Sequence, residues 1–161
     1  MTTFAIPAFE HKIAAPSQWL ERVHQLPRPL VFTNGVFDII HMGHVAYLAK
    51  ARSLGDILIV GLNTDASVRR IKGPKRPINR QADRAGVLSA VEYVDYIVYF
   101  SEATPEGLIG QVRPDILVKG ADYKLPEIAG ADLVKLYGGK VRRIPLRGSH
   151  STSRILRRLS A

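Results

Sequence analysis

The chain has 161 residues, 46% of them apolar, 23 Lys plus Arg against 14 Asp plus Glu, and no cysteine. That length and composition fit one domain with a real core, and they exclude a disordered chain, a disulfide framework and a thiolate metal site. The formal net charge of +9 points to a polyanionic partner, which on charge alone is nucleic acid, anionic lipid or a phosphorylated small molecule.

Residues 1–28 read as an N-terminal extension. Pro7 and Glu10 interrupt any secretory apolar run, and no window reaches the length of a membrane span, so the expectation is a cytoplasmic protein without a membrane partner. Trp19, Leu20, Val23 and Leu26 fall at helical spacing and predict an amphipathic helix that packs. From residue 29 onward, strand-like and helix-like blocks alternate. Residues 30–33 read as a short buried strand and 43–54 as a helix. Residues 56–62 are a continuous apolar strand of the kind buried in parallel sheets. A polar segment follows, punctuated by Gly73-Pro74 and Arg76-Pro77, and reads as an exposed loop. Residues 81–91 predict a helix, 94–100 a strand, and 105–111 a short helix that Thr104 can cap. Residues 115–119 predict a strand, 127–137 a helix stopped by Gly138-Gly139, and 141–146 a fifth strand. Ser151-Thr152-Ser153 reads as the cap of a last helix ending near residue 159. This alternation predicts an α/β domain over residues 29–161: a doubly wound, five-stranded parallel sheet with helices on both faces.

Such sheets bind ligands beyond the carboxyl ends of their strands, where the strand order reverses. After the first strand stands Thr33-Asn34-Gly35-Val36-Phe37-Asp38-Ile39-Ile40-His41-Met42-Gly43-His44. Gly43 lets a bulky ligand approach the backbone, and the opening of a helix offers unpaired N–H groups to phosphate. His41 and His44, three residues apart, converge on one phosphate from a single turn. They lack the four-residue spacing and the glutamate of a zinc-protease helix, so no protein metal site is expected. Asn63 and Asp65 follow the second strand and read either as ligand groups or as helix cap and turn. Lys119 ends the fourth strand at the switch point, with Gly120, Asp122 and Tyr123 just beyond. No G-x-G-x-x-G and no Walker loop occurs, which sets aside a dinucleotide oxidoreductase and a P-loop enzyme. A nucleic-acid module leaves the histidines and Lys119 without a task, and the basic stretches carry no interleaved aromatics.

Gly35-Val-Phe-Asp38-Ile-Ile-His41-Met-Gly43-His44 resembles the G-x-F-D-x-x-H-x-G-H pattern of the cytidylyltransferase-like nucleotidyltransferases. These are Rossmann-like enzymes that attack the α-phosphate of a nucleoside triphosphate. Asn63-Thr-Asp65, Lys72-Gly73, Arg76-Pro77, Val118-Lys-Gly-Ala-Asp-Tyr123 and Glu127-Ile-Ala-Gly130 follow in order. The set resembles the adenylyltransferases that act on D-glycero-β-D-manno-heptose 1-phosphate in lipopolysaccharide core synthesis. Many relatives fuse this domain to a sugar kinase, and the resemblance implies the stand-alone form. It further implies ATP as substrate, Mg²⁺ carried by the triphosphate, a sugar 1-phosphate acceptor and a homo-oligomer.

Position by position, the resemblance assigns catalysis to His41, His44 and Lys72. It assigns nucleotide binding to Thr33, Asn34, Gly35, Phe37, Gly43, His44, Lys119, Gly120, Ser151, Thr152 and Ser153. Substrate binding falls to Asp38, Asn63, Asp65, Arg76, Arg84, Asp122 and Tyr123, with Asp38 expected to orient its loop or the metal. The attacking phosphate is already an anion, so no strong base is needed. Ser153 departs from the family's terminal S-T-T element. The nearest rival acceptors are glycerol 3-phosphate and phosphopantetheine.

Overall fold

Short apolar runs rich in Val, Ile and Leu form six parallel strands in the computed structural model, which describes residues 8–14 and 16–145. In chain order the elements are β1 (Ile13–Ala14), α1 (Pro16–Val23), β2 (Leu30–Gly35), α2 (Met42–Arg52), β3 (Ile57–Asn63) and α3 (Asp65–Lys72). There follow α4 (Gln81–Ser89), β4 (Tyr96–Phe100), α5 (Glu106–Val112), β5 (Ile116–Gly120), α6 (Ala131–Leu136) and β6 (Lys140–Ile144). The sheet order is β1-β4-β3-β2-β5-β6. From β2 the chain winds outward through β3 to β4, then returns to lay β5 on the other side of β2. The order therefore reverses between β2 and β5, and a crevice opens beyond their carboxyl ends.

Alternate side chains of each strand feed two separate cores. Leu30, Phe32, Ile59 and Leu117 face one layer, where Trp19 and Val23 of α1, Leu108 and Ile109 of α5 and Val134 of α6 cover them. Val31, Leu58, Val60, Leu62 and Val118 face the other, covered by Leu48 and Ala51 of α2 and Ala85 and Leu88 of α4. Each fully buried Leu or Ile contributes about 1.5–3 kcal/mol relative to exposure. Two dry layers of this kind hold the strand ends, and so the crevice, in fixed positions.

Four expectations change. The sheet has six strands rather than five, because Ile13 and Ala14 pair with Ile97 and Val98 on the outer edge of β4. A two-residue strand is too short to leave a hydrophobic pattern. The segment after residue 63 is helical: the Thr64 hydroxyl accepts the Ser67 N–H at 3.3 Å as an N-cap, and α3 buries only Ser67 and Val68. α6 begins at Ala131 rather than at residue 127, because Leu125–Glu127 form a 3-10 turn and Gly130 takes φ +82°. α5 begins at Glu106, one residue later than expected, with Pro105 as its cap. The expected last helix, with Ser151, Thr152 and Ser153, lies outside the described residues. Among the described residues no helix is long and apolar enough to cross a membrane.

Candidate active site

At the carboxyl end of β2 the chain turns through Phe37, whose φ of +47° is left-handed and costly for a residue with a side chain. The turn is held open by glycine: a Cβ on Gly35 would lie 3.0 Å from the Phe37 ring. His41 then caps α2 in an extended conformation, and Gly43 and His44 form its first turn. The two imidazoles stack with centroids 3.9 Å apart, and Phe37 packs 5.3 Å from the His44 ring.

Burial, and then the neighbouring His41, lower the His44 pKa to about 4. Its ring is therefore neutral at pH 7. The His41 N–H donates to His44 Nδ1 over a long 3.4 Å, which leaves the proton of the neutral ring on Nε2.

Lys119 crosses from β5 to β2, its Nζ donating to the Asn34 carbonyl at 3.3 Å and lying 5.3 Å from the Tyr123 ring centre. Burial lowers its pKa to about 8 against the opposing pull of Asp122. Beyond it the chain folds so tightly that a Cβ on Gly120 would sit 2.3 Å from Asp122 Oδ1. The buried Asn34 Oδ1 has no donor, an acceptor left for a ligand.

Two adjoining hollows of about 280 and 210 Å³ fill the switch point. Asn34, Gly35, Phe37, His44, Lys119 and Tyr123 line both. Asp38, Asn63, Lys72 and Arg76 border the first, and Gly120 and Asp122 the second. A larger cavity of about 650 Å³ lies at the opposite end of the sheet, among Arg28, Arg113, Asp115, Tyr137 and Lys140. It sits at the amino ends of β5 and β6, away from the strand ends where such sheets bind ligands, and it contains none of the expected residues.

The remaining expected residues support the cleft from behind. Thr33 is fully buried and its hydroxyl shares a 2.8 Å bond with Tyr47, so its side chain is a core group rather than a nucleotide contact. Gly43 is buried inside α2, and His41, stacked on His44, is not among the residues that line either hollow. Arg84 is 1% exposed, and its guanidinium donates to the Val36, Asn63 and Asn79 carbonyls and to Asp65 Oδ1 at 2.6–3.1 Å. With four of its five N–H donors bonded to protein oxygens, Arg84 positions the cleft and is not among the residues that line it, and Asp65 serves as its counter-ion at the start of α3.

Asp38 anchors the 73–80 loop. Its carboxylate accepts Arg76 Nε at 2.7 Å and the Ile78 and Asn79 N–H groups at 2.9 Å. Burial opposes its ionisation, but the bonds from Asn79, Ile78 and Arg76 outweigh it and hold the carboxyl below its ordinary value. Sequence reasoning missed Phe100 and Pro105, which wall the first hollow. For Phe100 the only signal was the rule that the residues ending each strand face the ligand; Pro105, the cap of α5, gave none.

The family model for Cytidylyltransferase-like proteins matches residues 32–158. A Bifunctional protein HldE of Campylobacter curvus is 57% identical over 152 residues, 94% of this chain and 32% of that protein. The one of Wolinella succinogenes is 54% identical over 88% of this chain and 28% of that protein. The chain thus spans about a third of the length of these curated relatives. Among solved structures, the lipopolysaccharide core biosynthesis protein from Thermoplasma volcanium GSS1 superposes with TM-score 0.59 at 31% identity, over 75% of this chain and 98% of that one. Pantoate-beta-alanine ligase from Francisella tularensis, at 17% identity and TM-score 0.60 over 88% of this chain and 68% of its own, shares the fold. With a paired-histidine turn at the switch point of a parallel sheet and a family match across most of its length, the chain belongs to the cytidylyltransferase-like family of nucleotidyltransferases.

Proposed function

We propose that the protein transfers AMP from ATP to D-glycero-β-D-manno-heptose 1-phosphate, releasing pyrophosphate and forming ADP-heptose for the lipopolysaccharide inner core. The observation that carries this reading is the convergence of His44, Lys119 and the Asn34–Phe37 turn on one cleft. The kinship with HldE proteins and with a lipopolysaccharide core biosynthesis protein supports the choice of acceptor.

In the reaction a phosphate oxygen of the acceptor attacks the α-phosphorus of ATP. A new P–O bond forms as the bond to the bridging β-oxygen breaks, and that oxygen leaves with pyrophosphate. His44 and Lys119 meet the charge that develops on the α-phosphate, and such preorganised donors are typically worth about 10²–10³ in rate. Lys72 and Arg76, at the mouth, meet the outer phosphates or the acceptor phosphate. Ser151, Thr152 and Ser153 complete the phosphate contacts in this reading.

Among the described residues no three His, Asp or Glu side chains gather into a metal cage, and the Asp38 carboxylate is occupied by its own loop. In this reading Mg²⁺ would enter with the triphosphate. We assign the reaction to the cytoplasm, to a homo-oligomer, and to a catalytic unit over residues 29–161 braced by residues 1–28.

The test is pyrophosphate release with ATP or CTP against heptose 1-phosphate, glycerol 3-phosphate and phosphopantetheine. Release confined to ATP and the heptose, and lost in His44→Ala, is expected. Release with another acceptor discards the heptose, and no release with any pair discards the enzyme.

A further inference from the structure

Beside the catalytic cleft lies a cavity of about 340 Å³ at the carboxyl end of β4. Phe100 belongs to the lining of both. Their chemistry is opposite. The cleft carries Lys72, Arg76 and Lys119, whereas among the described residues no cation lines the second cavity, although Arg70 donates to the Ser101 carbonyl. Thr64, Ser101, Glu102 and Gln111 supply its polar groups, and Trp19 and Leu108 supply apolar wall. Trp19 is 2% exposed, and its buried indole N–H has no acceptor. A donor of that kind is expensive to leave unmade. An aromatic wall combined with hydroxyl, carboxamide and carboxylate groups, and with no cation among its described lining residues, matches a neutral polyol better than a phosphate.

We propose that this cavity receives the uncharged, hydroxyl-bearing end of the acceptor sugar while the sugar's phosphate stays in the cationic cleft. Glu102 and Gln111 accept hydrogen bonds from sugar hydroxyls, and the Trp19 ring packs against the sugar's carbon face. The N-terminal extension thereby contributes to acceptor recognition as well as to packing. This inference rests on reading the cleft as that of a sugar-phosphate nucleotidyltransferase.

Trp19 is the single tryptophan of the chain, so its fluorescence reports on the cavity directly. The protein, held with a non-hydrolysable ATP analogue, is titrated with heptose 1-phosphate and, separately, with glycerol 3-phosphate. The sugar phosphate alone is expected to change the emission. A blocking variant is available in Gly107→Leu: Gly107 lines the cavity, and a Cβ there meets nothing within 4 Å, while leucine favours the helix. It should abolish the response and raise KM for the sugar phosphate about tenfold, with KM for ATP unchanged, and Gln111→Ala should raise it about threefold. Turnover of the sugar phosphate with unaltered Trp19 emission and an unchanged KM in Gly107→Leu overturns the cavity assignment and leaves the transferase standing. Failure of the wild type to release pyrophosphate with any sugar 1-phosphate overturns both.

Discussion

His44 is an imidazole that the fold keeps uncharged, and this has consequences that can be measured. Its pKa falls to about 4 through burial and through His41, and a bound triphosphate favours the charged form. Binding should therefore take up a proton at a pH above about 4, where the bound ring is charged and the free ring is not. Calorimetry of ATP binding in buffers of different ionisation heat should show that uptake, and His44→Ala should abolish it. Stability follows the same shift. The folded value lies below the ordinary 6.5, so the unfolded chain binds the extra proton and stability falls as pH drops from about 6.5 to about 4. Thermal melts of His44→Gln should lose that part of the slope. Gly120 offers a steric prediction nearby: with a Cβ only 2.3 Å from Asp122 Oδ1, Gly120→Ala must push the Asp122 carboxylate aside. The expected outcome is weaker binding of ATP or acceptor with little change in the melting temperature.

Elements meet at Arg84. Reaching from α4, it bonds the turn after β2, the end of β3, the start of α3 and the loop that Asp38 anchors. Arg84→Leu leaves three carbonyls and Asp65 without that donor and should cost about 2–4 kcal/mol in urea unfolding. Arg84→Lys should recover part of this, since an ammonium cannot span the same acceptors. At the other end of the sheet's span, Gly130 decides where α6 starts. Its φ of +82°, with a Cβ position 2.5 Å from Ile109 Cδ1, makes Gly130→Ala destabilising by about 1–3 kcal/mol in the same assay.

These two residues also mark what the sequence could and could not convey. The β2, β3, β4 and β5 runs and the His41–His44 turn stood out because apolar blocks and motif spacing are local. Arg84 read as a substrate ligand because nothing local says that an arginine will be buried among carbonyls. Gly130 went unweighted because its left-handed backbone is set by packing against α5. α3 was hidden by its composition, since a helix with one buried aliphatic residue leaves no apolar stripe.

The whole molecule carries Trp19 and Val23 of α1 as part of the core. Trp19, although it comes before the first strand of the catalytic unit, packs 5.3 Å from Tyr96 and is 2% exposed. Trp19→Ala should cost about 3–5 kcal/mol, read by circular dichroism because the variant has no indole to follow. The +9 net charge acts at the same scale: ATP binding should weaken as salt rises, while short nucleic acids compete poorly at physiological ionic strength. The pairing of Ile13 with Ile97 adds an element of time. Its two halves are separated by about 80 residues of chain, which a ribosome delivers over roughly 4–16 seconds. Throughout that interval the nascent segment holds Trp19 and Val23 without β4 and α5 to complete their cover. Newborn chains should therefore pass through a brief sticky stage in which chaperones, rather than β4, are the first surface those side chains meet.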